Sequence, residues 1–515
     1  MARQAFTVAV ALPSLAAGAV LVPAPVRAAT TITSSDWPTY GHDPQHSFAG
    51  VTSLTPSSVH ALRRAWFFHT GDAVTSNPIV VGSTLYVGSW DGNFYALDRG
   101  TGKLVWKFQL DRQPAINPSP GNTSPRDIMT DGGLVTDAAW FEPAGWSHPD
   151  LVIFGGGYTL YALNAKTGAL VWKNQFTGLP EQPPSPTTDS TRIFSSPVVL
   201  GNRVIFGVSS NGEAGHRGYV ASADINNGSL VWRFETDVAT VGGAPMNDGC
   251  GGVWSSPSLD PIRGLVIFGV SDCNFRGLPP YAERVIALHA KDGTVAWVFT
   301  PPRLNGVPAG QDPPCDFDFG STPNLGDPDP VTGAPTFLGI GGKDGTYYRL
   351  DPGTGALVWD TNVVFGGSAG GFIGTTAFDG SKVYGATAFG DVEFPGCEPR
   401  NPKDTLVQWP SIYAFAASGP SGQNQVWSRL FAHSFGPTTV AGGMTFSGFA
   451  LGPIVQVRNA STGAVLKFLK VASSCFCGIT VSGNAVFFGT GSPQQGTGDG
   501  VYAFTPLAVA PTGSG

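Results

Sequence analysis

The chain has 515 residues, 42% of them hydrophobic and only 13% charged, with a formal net charge of −7. Its 70 Gly and 43 Pro make about twice the share of an average protein, and 11% of the chain is aromatic. This composition excludes a disordered chain and a long-helix or coiled-coil protein, and the acidic balance speaks against a nucleic-acid partner, which would require a basic face.

In chain order, residues 1–28 read as an export signal. Arg3 supplies a positive start, Ala5 to Val22 is apolar, and Val26-Arg27-Ala28 offers a cleavage site, so the mature chain is expected to begin at Ala29. No later stretch approaches 18 uninterrupted apolar residues, so no membrane span is expected after cleavage, and the expected location is periplasmic or extracellular. Six cysteines follow: Cys250, Cys273, Cys315, Cys397, Cys475 and Cys477. None lies in a C-x-x-C-H haem motif. The Cys475-Phe476-Cys477 pair lacks a second ligand pair and reads as structural rather than metal-binding.

From residue 65 onward a hairpin recurs: an alternating strand, a turn with Thr-Gly or Asp-Gly, then a strand ending in Trp. It runs from Phe94 through Thr101-Gly102 to Trp106, and from Leu160 through Thr167-Gly168 to Trp172. It returns at Asp224, Gly228 and Trp232, at Asp292-Gly293 and Trp297, at Thr354-Gly355 and Trp359, and at Tyr413 to Trp427. A seventh copy with Thr462-Gly463 carries Lys467 where Trp is expected. Each hairpin follows a Pro- or Gly-marked strand and an apolar strand ending in Gly, as in Ser196-Pro197 to Gly207 and Ser256-Pro257 to Gly269. Four short strands at this period predict a β-propeller. The last unit stops at Phe504 with three strands, and a fourth with its Trp stands at the other end as Ala65-Trp66-Phe67-Phe68. The expected architecture is therefore all-β and eight-bladed, with the N-terminal strand closing the last blade and removing two open sheet edges. The expected divisions are the signal 1–28, an N-terminal segment 29–64, the propeller 65–506 and a flexible tail 507–515. The repeated Trp is expected to fill space between blades, and the Asp and Thr-Gly to shape turns.

These repeats resemble the pyrroloquinoline quinone (PQQ) propeller repeat, A-x-D-x-x-T-G-x-x-x-W, over nearly all of the mature chain, and Asp36 to Asp43 resembles the leading segment of quinoprotein alcohol dehydrogenases. Scaffold and sensor propellers share the repeat, so four non-repeat places carry the functional reading. The segment from Gly207 through Glu213 to Val220 is similar to the one whose Glu binds the metal beside the quinone. In Gly251-Gly252-Val253-Trp254, the resemblance puts the Trp under the quinone ring. Eighteen residues on, where the family has a metal-ligating Asn, stands Asp272, which keeps an oxygen donor and adds charge. Cys315-Asp316-Phe317-Asp318-Phe319-Gly320 resembles the segment of the catalytic Asp; Asp318 aligns best and Asp316 is a one-step slip. On a presumed strand both carboxylates face one side, an arrangement that requires a nearby cation. Finally, Lys343 in Gly341-Gly342-Lys343-Asp344-Gly345 matches the basic residue that hydrogen-bonds the quinone oxygens. Each place also has a plain alternative: a solvated loop Glu, a core Trp, a polar strand face, an exposed turn Lys.

The resemblance implies PQQ as cofactor, with Ca²⁺ ahead of a lanthanide held by Glu213, Asp272 and Asp318. Trp254, Lys343 and Arg126 would bind the quinone, and Asp318 would be the general base. The adjacent Cys-Cys pair found over the quinone in many members is absent, as is a cytochrome domain, so a separate electron acceptor such as a cytochrome c is expected. The D-F-D-F-G spacing and the insert before it are most similar to the polyvinyl-alcohol dehydrogenase branch (EC 1.1.2.6 within EC 1.1.2.-). That implies oxidation of secondary alcohols, a polymeric one included, to ketones or aldehydes. The alternative is a non-catalytic propeller acting as an extracytoplasmic interaction scaffold.

Overall fold

The computed structural model describes residues 32–111, 138–141, 149–177, 191–209, 218–236, 240–241, 244–245, 251–272, 280–304, 317–364, 366–367, 370–388, 409–492 and 497–506. The expected export signal, its cleavage site and the tail from 507 lie outside these residues, as do Cys250, Cys273, Cys315 and Cys397. Cys475 and Cys477 are joined in a disulfide, which bears out their structural reading.

Eight sheets of four antiparallel strands carry the fold, and the short strand Ala49–Gly50 adds to that of blade 7 in parallel. Blade 1 runs from Ile79 to Gln109, blade 2 from Ala139 to Gln175 and blade 3 from Val198 to Glu235. Blade 4 runs from Ser258 to Phe299, blade 5 from Asn324 to Asn362, blade 6 from Ala377 to Leu430 and blade 7 from Thr439 to Lys470. Blade 8 takes three strands from Ile479 to Pro506, and its fourth is Leu62–His69, antiparallel to Thr497–Pro506. The first strands of consecutive blades touch one another in cyclic order, and that of blade 8 touches that of blade 1. The sheets therefore close into an eight-bladed propeller, and the closing strand is the one the repeat count assigns.

The repeat residues interlock the blades. In seven blades the outer-strand indole N–H donates to a carbonyl in the next blade, among them Trp66 to Arg99 and Trp106 to Ala165 at 3.0 Å, and Trp172 to Ile225 at 2.7 Å. The turn Gly serves this contact as well as the turn. At Gly228 (φ +70°) a Cβ would lie 2.5 Å from the Trp172 ring, and at Gly293 (φ +74°) 2.7 Å from that of Trp232. The Gly closing each second strand has a second cause. A Cβ on Gly207 or Gly269 would meet Val253 or the Phe319 carbonyl, which lead into the following blade. Lys467 of blade 7 instead donates to the His60 carbonyl at 2.6 Å. Replacing Trp232 by Ala removes a buried indole and its bond to the Ala290 carbonyl. We expect a loss of about 3–5 kcal/mol, read from urea denaturation with near-UV circular dichroism.

The N-terminal segment winds around the channel and bonds to the inner strands in turn. Trp37 exchanges two backbone bonds with Val80 of blade 1, and the Pro38 carbonyl accepts from Trp140 of blade 2. The carbonyls of Pro44, Gln45, Ser47 and Phe48 accept from Leu259, Leu325, Phe378 and Val440 of blades 4, 5, 6 and 7. The Val51 carbonyl accepts from Gly483 of blade 8. Trp37, His46 and Phe48 are fully buried there. The segment lies against the first strands of the blades; the chemistry lies at the strand ends.

Candidate active site

In an antiparallel blade the start of the first strand and the end of the second share one edge, so residues from those two places in neighbouring blades can meet. Trp254 stands just before the first strand of blade 4 (Ser258–Asp260) and Asp272 just after its second (Leu265–Gly269). Asp318 precedes the first strand of blade 5 (Asn324–Pro328), and Lys343 follows its second (Pro335–Gly341).

These four residues converge. Trp254 Nε1 donates to Asp318 Oδ2 at 3.0 Å, and the Lys343 ammonium lies 2.9 Å from the same oxygen. The Asp272 backbone N–H donates to Asp318 Oδ1 at 2.5 Å. The Lys343 N–H donates to the Asp318 carbonyl at 3.0 Å, and its Nζ lies 5.3 Å from the Trp254 ring centroid. Three of about four lone-pair positions on the carboxylate are thus taken. Burial alone would raise the pKa of Asp318; the Lys343 charge and the Asp272 N–H outweigh it and hold the carboxyl below its ordinary value.

Local packing explains these orientations. A Cβ on Gly320 would sit 1.7 Å from the Trp254 ring, so the indole lies against bare backbone. One on Gly371 would meet the Lys343 carbonyl at 2.5 Å, and one on Gly366 the same atom at 2.6 Å. With backbone packed over it, Lys343 is buried, not an exposed turn residue, and Trp254 is half-exposed rather than a core side chain. The expectation of a strand carrying Asp318 needs correction. Residues 317–320 form no sheet; Phe319 N–H donates to the Val270 carbonyl of blade 4, and Asp318 itself accepts from blade 5. The segment bridges two blades, and Phe317, Asp318 and Phe319 are all buried, so strand alternation does not govern it.

Glu213, Arg126 and Asp316 lie outside the described residues. Among the described residues no three His, Cys, Asp or Glu side chains form a metal ligand set. The charge around Asp318 nevertheless suits a divalent cation. Arg303 bridges Glu283 and Asp344 close by. In formal charge, Asp272, Glu283, Asp318 and Asp344 face Lys343, Arg303 and Arg284, the last coupled to Glu283 and Arg303, an excess of one negative charge in a partly desolvated region. The half-exposed Trp254 indole, with a lysine beside it, suits a planar anionic ring system. The described residues therefore fit PQQ, and their negative balance suits a cation beside it.

The sequence reading missed the residues equivalent to Trp254 in other blades. Phe194, Ile373 and Phe435 stand at the same offset before Val198, Ala377 and Thr439, and Phe476 before Thr480; all are half-exposed. Phe435 and Phe476 have ring centroids 5.1 Å apart. By this offset they stand at the same end of their blades as Trp254. Only Phe194 stands before a Ser-Pro step like that after Trp254, so the others become visible only once the strands are placed.

Comparison with known proteins identifies the family of the propeller. The family model for the PQQ glucose/ethanol/alcohol dehydrogenase β-propeller domain matches residues 37–364. A polyvinylalcohol dehydrogenase from a Pseudomonas species is 25% identical over 459 residues, covering 83% of this chain and 67% of that protein. The dehydrogenase subunit of a quinone-type alcohol dehydrogenase from Gluconacetobacter polyoxogenes is 27% identical, over 64% of this chain and 46% of its own length. The chain thus spans about half to two thirds of these relatives. The quinohemoprotein alcohol dehydrogenase structure from Comamonas testosteroni superposes with a TM-score of 0.69 at 19% identity, over 92% of this chain and 81% of its own. With its propeller closed by the expected strand and a family model covering more than half its length, the chain belongs to the PQQ-type glucose/ethanol/alcohol dehydrogenase β-propeller family.

Proposed function

We propose that this protein is a PQQ- and Ca²⁺-dependent dehydrogenase of secondary or polyvinyl-type alcohols that passes electrons to a separate acceptor such as a cytochrome c. One observation carries the reading. Asp318, Trp254, Lys343 and Asp272, drawn from four separate segments, meet around a single buried carboxylate held ionised. The division into signal, N-terminal segment, propeller and tail, with export to the periplasm or outside, belongs to the same proposal. No helix among the described residues is long and apolar enough to cross a membrane.

Trp254 supplies the stacking surface for the quinone, Lys343 and Arg126 hydrogen-bond and charge-pair with its oxygens, and Glu213 and Asp272, with Asp318 beside them, hold the cation. Bound there, PQQ with Ca²⁺ supplies a hydride acceptor and a Lewis acid. The chain's own share is orientation and proton handling. Asp318 accepts the proton of the alcohol hydroxyl, and Trp254 Nε1–H and Lys343 fix the orientation of its carboxylate. The Lys343 charge also stabilises negative charge developing nearby.

The test is a titration of the mature protein with PQQ and CaCl₂, followed by tryptophan quenching and by dye reduction with secondary alcohols. Binding should require Ca²⁺ and fail in Glu213→Ala and Trp254→Ala. Gly320→Ala, whose Cβ would intrude on the indole, should weaken quinone affinity at least about tenfold, or 1.4 kcal/mol. Absence of binding with both Ca²⁺ and La³⁺ overturns the reading in favour of a scaffold.

A further inference from the structure

Behind Asp318 lies a buried ion cluster that neither the repeat nor the family resemblance singles out. Arg303, in the short 3-10 turn Pro302–Leu304, is 7% exposed at its side chain, Glu283 0% and Asp344 5%. Arg303 Nη2 lies 3.2 Å from Glu283 Oε2, and Nη1 lies 3.4 Å from Asp344 Oδ2. Nη2 also donates to the Phe317 carbonyl at 2.7 Å, and the guanidinium lies 5.1 and 5.5 Å from the rings of Phe317 and Phe319.

Each member of the cluster reaches a chain neighbour of a site residue. Phe317, gripped by Arg303, precedes Asp318. Asp344 follows Lys343, and its Oδ1 accepts the Thr346 N–H at 3.0 Å. Glu283 donates its backbone N–H to the Ser271 carbonyl, next to Asp272, from a left-handed φ of +53° that non-glycine residues seldom adopt. Residues 317–320 have no sheet to fix them, so their position depends on such contacts. A buried arginine suits the task because its planar fork satisfies several acceptors in fixed directions, which an ammonium cannot do.

We infer that Glu283, Arg303 and Asp344 are positioning residues that set Asp318, Lys343 and Asp272 against one another. The inference deepens the dehydrogenase reading and rests on it for its kinetic readout alone. The cluster touches the backbone that carries the reacting groups, so its loss should displace Asp318 without removing it, and a displacement of about 1 Å costs about 10²-fold in rate.

The experiment replaces the whole cluster by neutral side chains of similar size, Glu283→Gln with Arg303→Met and Asp344→Asn, and adds Arg284→Met because Arg284 otherwise loses its Glu283 counter-charge. Asp344→Asn alone, which changes one atom, is the companion variant should the combined variant not fold. The readout in quinone-free protein is the ¹⁵N–¹H signal of the Trp254 indole, assigned with Trp254→Phe, because that N–H donates to Asp318 Oδ2. The signal should shift and broaden while those of the other Trp residues stay in place. In protein loaded with PQQ and Ca²⁺, kcat should fall about 10²-fold with little change in KM. Folded variants whose Trp254 signal is unmoved and whose kcat is within twofold of the parent would overturn the inference. Should the parent prove to have no dehydrogenase activity, the indole signal still decides the positioning role.

Discussion

Asp318→Asn should lower kcat by about 10²–10⁴-fold, the range that removal of a general base produces, measured with PQQ and Ca²⁺ at saturation. The amide keeps the shape of the carboxylate and can still accept from Trp254, so the stacking surface is retained. What is lost is a basic oxygen for the alcohol proton and the counter-charge of Lys343. Dye-coupled turnover with saturating PQQ and Ca²⁺ measures the first effect, and quinone titration checks the second. An Asp318→Asn variant retaining more than a tenth of the parent kcat would remove Asp318 from the reaction. The pH profile follows from the same geometry. Lys343 and the Asp272 N–H hold the folded-state pKa of Asp318 below its ordinary value, so the carboxylate stays ionised through mildly acidic pH. The acid limb of kcat/KM in the parent should therefore fall below the ordinary carboxylate range.

Deleting residues 32–50 should unfold most of the protein at 37 °C. The deletion removes the fully buried Trp37, His46 and Phe48 and the backbone bonds of Trp37 to Phe48 with six blades. At about 1.5–3 kcal/mol for each large apolar side chain and about 1 kcal/mol for each bond, the loss is on the order of 10 kcal/mol. That is comparable with the whole stability of a typical domain. Thermal melts by circular dichroism and resistance to proteolysis would measure it; a truncated chain that melts within a few degrees of the parent would mean the blades close without the segment. The same segment predicts acid sensitivity. Burial pushes the His46 pKa down to about 4 from 6.5, so between these values the unfolded chain binds a proton that the folded chain does not. This contribution is complete above pH 6.5 and declines as pH falls towards 4, by about 3 kcal/mol at most. His46→Asn should flatten the dependence in that window.

The propeller was legible because the residues that lock its blades recur. Each Trp donates to the next blade, so one interaction is written into the sequence seven times, six of them with a turn Gly against the ring, and even the strand shared between the two ends could be paired from its Trp66. The site does not repeat. Lys343 looks like any turn lysine until Gly366 and Gly371 pack their backbone against it. Asp318 follows no strand pattern because its partners lie in two different blades. Arg303 escaped notice because its carboxylate partners stand 20 and 41 positions away, with no spacing that a local pattern could expose. Family resemblance singled out Trp254, Asp272, Asp318 and Lys343 where periodicity could not, and the structure brings these four together.

In blade 8 the circle is closed within a single sheet by hydrogen bonds between distant parts of the chain, Leu62–His69 against Thr497–Pro506. During synthesis Leu62–His69 emerges more than 400 positions ahead of its partner. Until Thr497–Pro506 arrives, the nascent chain carries two open sheet edges able to pair with other chains. The circle therefore cannot be completed co-translationally from its start, and the time spent as an open arc, rather than the stability of any blade, sets the exposure to aggregation. Loss of only those late residues would leave the other blades with all their strands and yet no closed ring.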